Sequence, residues 1–240
     1  MAKTIPASTV VTSPPPPPAA PPQVVGDDPV NRHASTEAMK LRLQKLDLGD
    51  EILAMCVLAD GSLAGGSLVA CAAILAAAGQ FNPAVAVLAQ GLSGRGAAWW
   101  ACRAARLEPP DGPSPKELPA LEAAERWVRD PVPAHAHAAN AAAKQAGFGT
   151  PAGCAAMAAF MAGDTIAPPH LPPLAPPPNG PGLAAAGAVR LAAARRQPVD
   201  PDALANLLKL GQAVAVGSDS WKPAEEQAKS TVGGTAANGR

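Results

Sequence analysis

The feature that most constrains this chain is a recurring dipeptide, a short polar side chain directly before proline. Asn82-Pro83, Ser114-Pro115, Asp130-Pro131, Thr150-Pro151 and Asp200-Pro201 all have this form. The polar side chain can accept one of the N–H groups left unpaired at a helix start, and proline fits the first helical position because no donor is needed there. Ser114-Pro-Lys-Glu117 also has the spacing of a capping box. Gly79, Gly147, Gly163 and Gly217 stand where helix ends take a left-handed residue. These signals predict helices over 35–47, 50–59, 66–78, 83–92, 95–107, 115–129, 131–146, 151–162, 182–196 and 201–216. No stretch shows the β-branched alternation of a strand. The expected class is all-α.

The side chains available to such a fold are small. Hydrophobic residues make up 48% of the chain with alanine dominant, and there are four Trp, three Phe and no Tyr. An alanine core needs close helix packing, because small side chains otherwise leave voids. Short connections make antiparallel neighbours, so the expectation is antiparallel helical hairpins stacked into one domain over 35–217.

Three segments depart from that pattern. Residues 1–34 include the run Pro14 to Pro18, with Pro21 and Pro22 behind it, and read as a disordered, polyproline-II tether. Residues 218–240 read as a disordered tail of which Trp221 could dock a short piece. Residues 164–180, DTIAPPHLPPLAPPPNG, are expected to lie extended across the helices with Ile166, Leu171 and Leu174 in surface grooves.

Charge excludes some partners. Lys+Arg and Asp+Glu are both 19, so nothing points to nucleic acid or an anionic membrane surface. The uncharged run from Gly61 to Gly94 raises the question of a membrane span, but Gln80, Asn82 and Pro83 interrupt it. The N-terminus lacks the apolar run of a signal peptide. A cytoplasmic protein without membrane insertion is expected.

Candidate chemistry is sparse. Cys56, Cys71, Cys102 and Cys154 are too far apart for a CxxC motif and read as small buried hydrophobes in a reducing compartment. His135 and His137 fall in a helical context, where residues two apart do not face each other, so no metal site is expected. GSLAGGS at 61–67 lacks the GK[ST] ending of a phosphate loop. No GxSxG, HExxH or paired-carboxylate pattern appears. The chain therefore reads as non-enzymatic, with no cofactor; a small-molecule-binding or enzymatic helical domain is the alternative.

The segment GRGAAWWACRAARL, 94–107, carries the candidate site. At about 100° per residue, Trp100 falls on the side of Ala97, Ala104 and Leu107, and Trp99 on the side of Arg95, Arg103 and Arg106. Trp100 is the predicted core residue, together with Trp127, Cys102 and Phe160. Trp99 with Arg95, Arg103 and Arg106 is the predicted protein-binding patch, since Trp and Arg dominate interface hot spots. Arg95 and Arg103 are each placed to lie over the Trp99 indole. The competing structural reading pairs the three arginines with Glu117, Glu122 and Glu125.

Three segments, GAAWWACRAARL at 96–107, LEAAERWVRDP at 121–131 and GTPAGCAAMAAFMAGDTIAPPHLPP at 149–173, resemble a bacterial helical family of unknown function associated with type VI secretion gene clusters. The resemblance spans roughly residues 63–216 and leaves out the proline-rich arm. It implies an accessory or adaptor role beside a contractile secretion machine, with secretion components as protein partners. It carries no catalytic residues.

Overall fold

Thr150-Pro151 shows how the chain starts a helix. The Thr150 hydroxyl accepts the Gly153 N–H at 3.0 Å, and Pro151 takes the first helical position. The computed structural model describes residues 36–107, 112–195, 200 and 202–221. The expected arm 1–34, the tail beyond Trp221 and Pro201 lie outside the described residues. Ten α-helices occur among them: α1 Thr36–Gln44, α2 Asp50–Cys56, α3 Leu68–Ala77, α4 Phe81–Gly91, α5 Gly94–Arg106, α6 Leu118–Arg129, α7 Pro133–Ala146, α8 Pro151–Met161, α9 Gly180–Ala194 and α10 Ala203–Ala215. The fold is all-α. The β-pairing among the described residues is one isolated bridge, Val57 with Leu63.

The other polar–proline pairs act differently from expectation. Asp200 accepts the Asp202 N–H at 2.9 Å, just ahead of α10. At Asn82-Pro83 the helix begins earlier, with Gln80 as N-cap. Pro83 then stands third, where a missing N–H is still harmless. Asp130 closes α6 instead of opening α7; Val132 is the N-cap and Pro133 the first residue. α6 starts at Leu118, and one half of the capping box forms ahead of it: the Glu117 carboxylate accepts the Ser114 N–H at 3.2 Å and its hydroxyl at 2.8 Å. Two further caps come from Ser67 and Ser93, whose hydroxyls accept the Ala70 and Gly96 N–H groups. α2 ends at Cys56, short of residue 59, because the chain turns through Leu58 and Gly61 to reach the Val57–Leu63 bridge. Gly79, Gly147 and Gly217 adopt positive φ as expected, whereas Gly163 does not. Glycine fits at 163 for room, since a Cβ there would lie 3.2 Å from Ala136 Cβ.

The helices gather around α8, which packs against α5, α6, α7 and α9. Its sequence PAGCAAMAAFM is apolar all round, as a central helix must be. Successive helices pair as hairpins, α3 with α4, α6 with α7 and α7 with α8. In the first of these, Gly91 at the end of α4 lies against Leu68 and Val69 at the start of α3, so the two run antiparallel. α5 and α10 are antiparallel as well: Gly96 faces Val214 and Trp100 faces Leu207. The uncharged run from Gly61 to Gly94 is broken into a 3₁₀ turn, α3 and α4. Among the described residues no helix is long and apolar enough to cross a membrane.

The proline-rich segment is a closed loop instead of an extended strap. The Ile166 N–H donates to Leu174 O at 2.8 Å, and the Thr165 hydroxyl accepts from the N–H groups of both Ala167 and Leu174. Ile166 packs on the core, but Leu171 and Leu174 are exposed. Leu174 takes part in the closure through its backbone, and its side chain stays exposed, as does that of Leu171 within the loop. Past Gly217 a short piece of the chain docks, as Trp221 allowed: Ser218–Trp221 folds back over α5.

Candidate functional site

α5 presents two faces with separate roles. On the inner face Ala97, Ala98, Ala101, Cys102, Ala104 and Ala105 are buried among neighbouring helices. Trp100 is fully buried there and donates its Nε1–H to Leu207 O at 2.8 Å. α10 approaches this closely because residue 211 is glycine: a Cβ would lie 2.5 Å from Trp100 Cε2. Trp127 and Phe160 are buried. Trp127 Nε1 has no hydrogen-bond partner among the described residues.

The outer face brings Trp99 and the three arginines together, with partners the sequence reading did not assign. Trp99 is half-buried, and its Nε1–H donates to Asp219 Oδ1 at 2.9 Å. Arg103 donates its Nε–H to the other oxygen of the same carboxylate at 3.1 Å, and its guanidinium lies 5.9 Å from the Trp99 ring centre. Arg95 covers Trp221 at 4.5 Å, where Trp99 was expected. The reason is its anchoring: Arg95 donates to Val128 O at 2.7 Å and Arg129 O at 3.0 Å, where the carbonyls at the end of α6 favour a cation.

Arg106 follows the competing structural reading, with a two-pronged bond to Glu125 at 2.8 and 2.9 Å. That bond to Glu125 raises the Arg106 pKa above its ordinary value. Glu117 pairs instead with Arg195 at 2.7 Å. Burial opposes the Glu117 charge, but the bonds from Arg195 and Ser114 outweigh it and hold the carboxyl below the ordinary value.

Ser218–Trp221 is therefore a clasp on α5. A hydrogen bond to a charged group contributes about 1.5–3 kcal/mol, an exposed cation–π contact about 0.5–1 kcal/mol, and a half-exposed ion pair about 0–1 kcal/mol. Each contact is modest, and Trp221 adds packing against the core. The signal for the clasp in the sequence is an acid two positions before Trp221 and two positions after the helix-ending Gly217.

The remaining candidates are scattered. His135 Nδ1 sits 2.9 Å from Asp130 O, while His137 stacks on Phe160 with centroids 5.6 Å apart. Cys56, Cys71 and Cys102 are buried and Cys154 is half-buried. Burial, then the charge of Glu125, pushes the Cys102 thiol up. Burial also raises Cys154. Among the described residues no three His, Cys, Asp or Glu side chains gather as a metal site. A cavity of about 160 Å³ lies where α4, α8 and the start of α9 meet, with Arg42 and Gln90 in its wall. An open depression of about 420 Å³ is lined by Glu122, Glu125, Arg126, Arg129, Asp130 and His135.

The family of unknown function DUF6931 matches residues 71–215, from within α3 to the last residue of α10. The chain belongs to the DUF6931 family. Comparison with curated proteins gave no match, and comparison with solved structures gave none. The DUF6931 region contains all of α5, and so Trp99 and the three arginines; Asp219 and Trp221 lie just past its matched end.

Proposed function

We propose that this protein is a non-enzymatic helical adaptor that works by protein–protein contact, as a cytoplasmic accessory of a bacterial type VI secretion machine. The observation that carries the adaptor reading is the outer face of α5. Trp99, Arg95 and Arg103 there bind a carboxylate and an indole that come from elsewhere in the chain. Trp and Arg are the residue types that dominate interface hot spots. The secretion link rests on the resemblance of 96–107, 121–131 and 149–173, all of which fall within the DUF6931 region.

The test is purification of the tagged full chain from its native bacterium, with the co-purifying proteins identified. Recovery of sheath, baseplate or effector components supports the proposal. A reproducible partner set without any secretion component overturns the secretion link.

A second reading, a small-molecule-binding domain, draws on the open depression between α6 and the start of α7. Its volume of about 420 Å³ falls within the roughly 300–1,000 Å³ range of ligand pockets. Against it, four of the six lining side chains already contact one another: Arg129 with Glu125 at 3.6 Å, and His135 with Asp130 at 3.4 Å. A ligand that binds the folded state raises the melting temperature in a concentration-dependent way, so a thermal-shift screen of metabolites tests this reading.

A further inference from the structure

The clasp has the chemistry of a bound peptide. Asp219 offers one carboxylate to two donors, Trp99 Nε1–H and Arg103 Nε–H. Two residues on, Trp221 lays its ring against the Arg95 guanidinium, which is fixed in place by Val128 O and Arg129 O. The spacing fits the helix beneath. Arg95 and Trp99 are four residues apart on α5, about 6 Å along the axis. Two residues of extended chain span about 6.6 Å. An acid and an aromatic at i and i+2 therefore reach Trp99 and Arg95 together.

The backbone of the clasp is tied elsewhere. The Ser218 and Asp219 N–H groups both donate to Ala213 O, at 2.9 and 3.2 Å, at the end of α10. Swinging the Asp219 carboxylate and the Trp221 ring away therefore leaves the backbone bonds at the end of α10 intact, although it gives up the packing of Trp221 against the core.

We infer that the Trp99–Arg95–Arg103 face is a peptide-docking site masked in cis by the protein's own C-terminal clasp, and that its partner presents an extended segment with an acidic residue two positions before an aromatic. The inference rests on reading this face as the adaptor's contact surface and specifies what that surface takes. The clasp is joined to α10 by a tether of a few residues, which gives it an effective concentration of millimolar order. A partner segment must outcompete that, so masking raises the threshold for engagement.

The test uses the full chain and a labelled nine-residue peptide of sequence VGSDSWKPA, residues 216–224. The variant Asp219→Asn/Trp221→Ala unmasks the face without altering α5. Its melting curve, compared with wild type, shows that it is folded. Fluorescence anisotropy is expected to show the peptide binding this variant at least about tenfold more tightly than wild type. Adding Arg103→Glu to the variant is expected to abolish binding, as is replacing Asp by Asn within the peptide. A folded variant that binds the peptide no better than wild type overturns the inference, and so does binding that survives Arg103→Glu. Either result leaves the adaptor reading standing if native partners are still lost on Arg103→Glu alone. Partner recovery untouched by Arg103→Glu defeats the adaptor surface itself.

Discussion

Trp99 and Asp219, 120 positions apart in the chain, are joined by a 2.9 Å hydrogen bond from the indole N–H to the carboxylate. The neighbouring Trp100 turns into the core and bonds Leu207 O. Two adjacent tryptophans thus have different roles, one closing a clasp at the surface and one filling an alanine core.

Trp100→Ala is expected to destabilise the fold by about 3–5 kcal/mol, the range for deleting a buried large aromatic. The phenylalanine variants separate the two buried indoles. Trp100→Phe gives up a hydrogen bond, whereas Trp127→Phe removes an N–H that has no partner among the described residues. Trp100→Phe should therefore be the more destabilising by about 1 kcal/mol. Denaturant unfolding of both variants checks this, and equal losses would contradict it.

Gly211→Ala is expected to destabilise, although alanine is the better helix former by about 1 kcal/mol. The added Cβ would lie 2.5 Å from Trp100 Cε2 and 2.8 Å from Leu88 Cδ2. Overpacking of this kind costs about 1–3 kcal/mol. Combining it with Trp100→Phe should restore part of the loss, a coupling that a double-mutant cycle measures.

Helices were legible in the sequence to the extent that their signals are local. Thr150-Pro151 caps α8 as its residues predict, because both the hydroxyl and the N–H it satisfies lie within one turn. Asp130-Pro131 misleads because Pro133 follows two residues later and offers the same pre-set φ, so α7 starts there. On α5 the helical period alone separated Trp99 from Trp100. It did not show that Asp219 meets Trp99, or that Arg95 turns to Trp221 and the end of α6. Those contacts join residues far apart in sequence, and no local pattern encodes them. The closure of the 164–180 loop hangs on the Thr165 hydroxyl, and a reading based on its prolines and leucines passes over that group.

Glu117 gives the fold a pH dependence of known sign. Its folded pKa is held below the ordinary value. Its contribution is therefore complete above the unfolded carboxylate value, about 4.3, and is lost as pH falls through the folded value. Glu117→Gln should destabilise by about 1–3 kcal/mol at neutral pH. The gap from wild type should narrow below about pH 4.3. Unfolding curves across that range check it, and a gap that stays constant into acid would contradict the pairing with Arg195 and Ser114.

Thiol labelling tests the burial pattern. Cys56, Cys71 and Cys102 are buried, and Cys154 alone of the four is half-exposed. Its thiol donates to Phe148 O at 3.0 Å, and burial raises its pKa, so labelling of the native protein should be slow and confined to Cys154. The other three should react only after unfolding. Mass spectrometry of the alkylated native protein gives the answer, and native labelling of Cys102 would contradict the packing of α5.

The central claim is that the outer face of α5 exists for contact with a partner. Arg103 is its cleanest probe, because Trp99 also packs against the core whereas the Arg103 side chain is 39% exposed. The measurement is melting temperature and recovery of co-purifying partners, taken together on Arg103→Glu of the full chain. Loss of the Arg103–Asp219 ion pair should reduce stability by no more than about 1 kcal/mol. Truncating a hot-spot contact typically costs about 2 kcal/mol or more of binding, and reversing its charge should cost no less, so partner recovery should fall at least about tenfold. Undiminished recovery with a lowered melting temperature would mean that the arginines and Trp99 serve the fold alone.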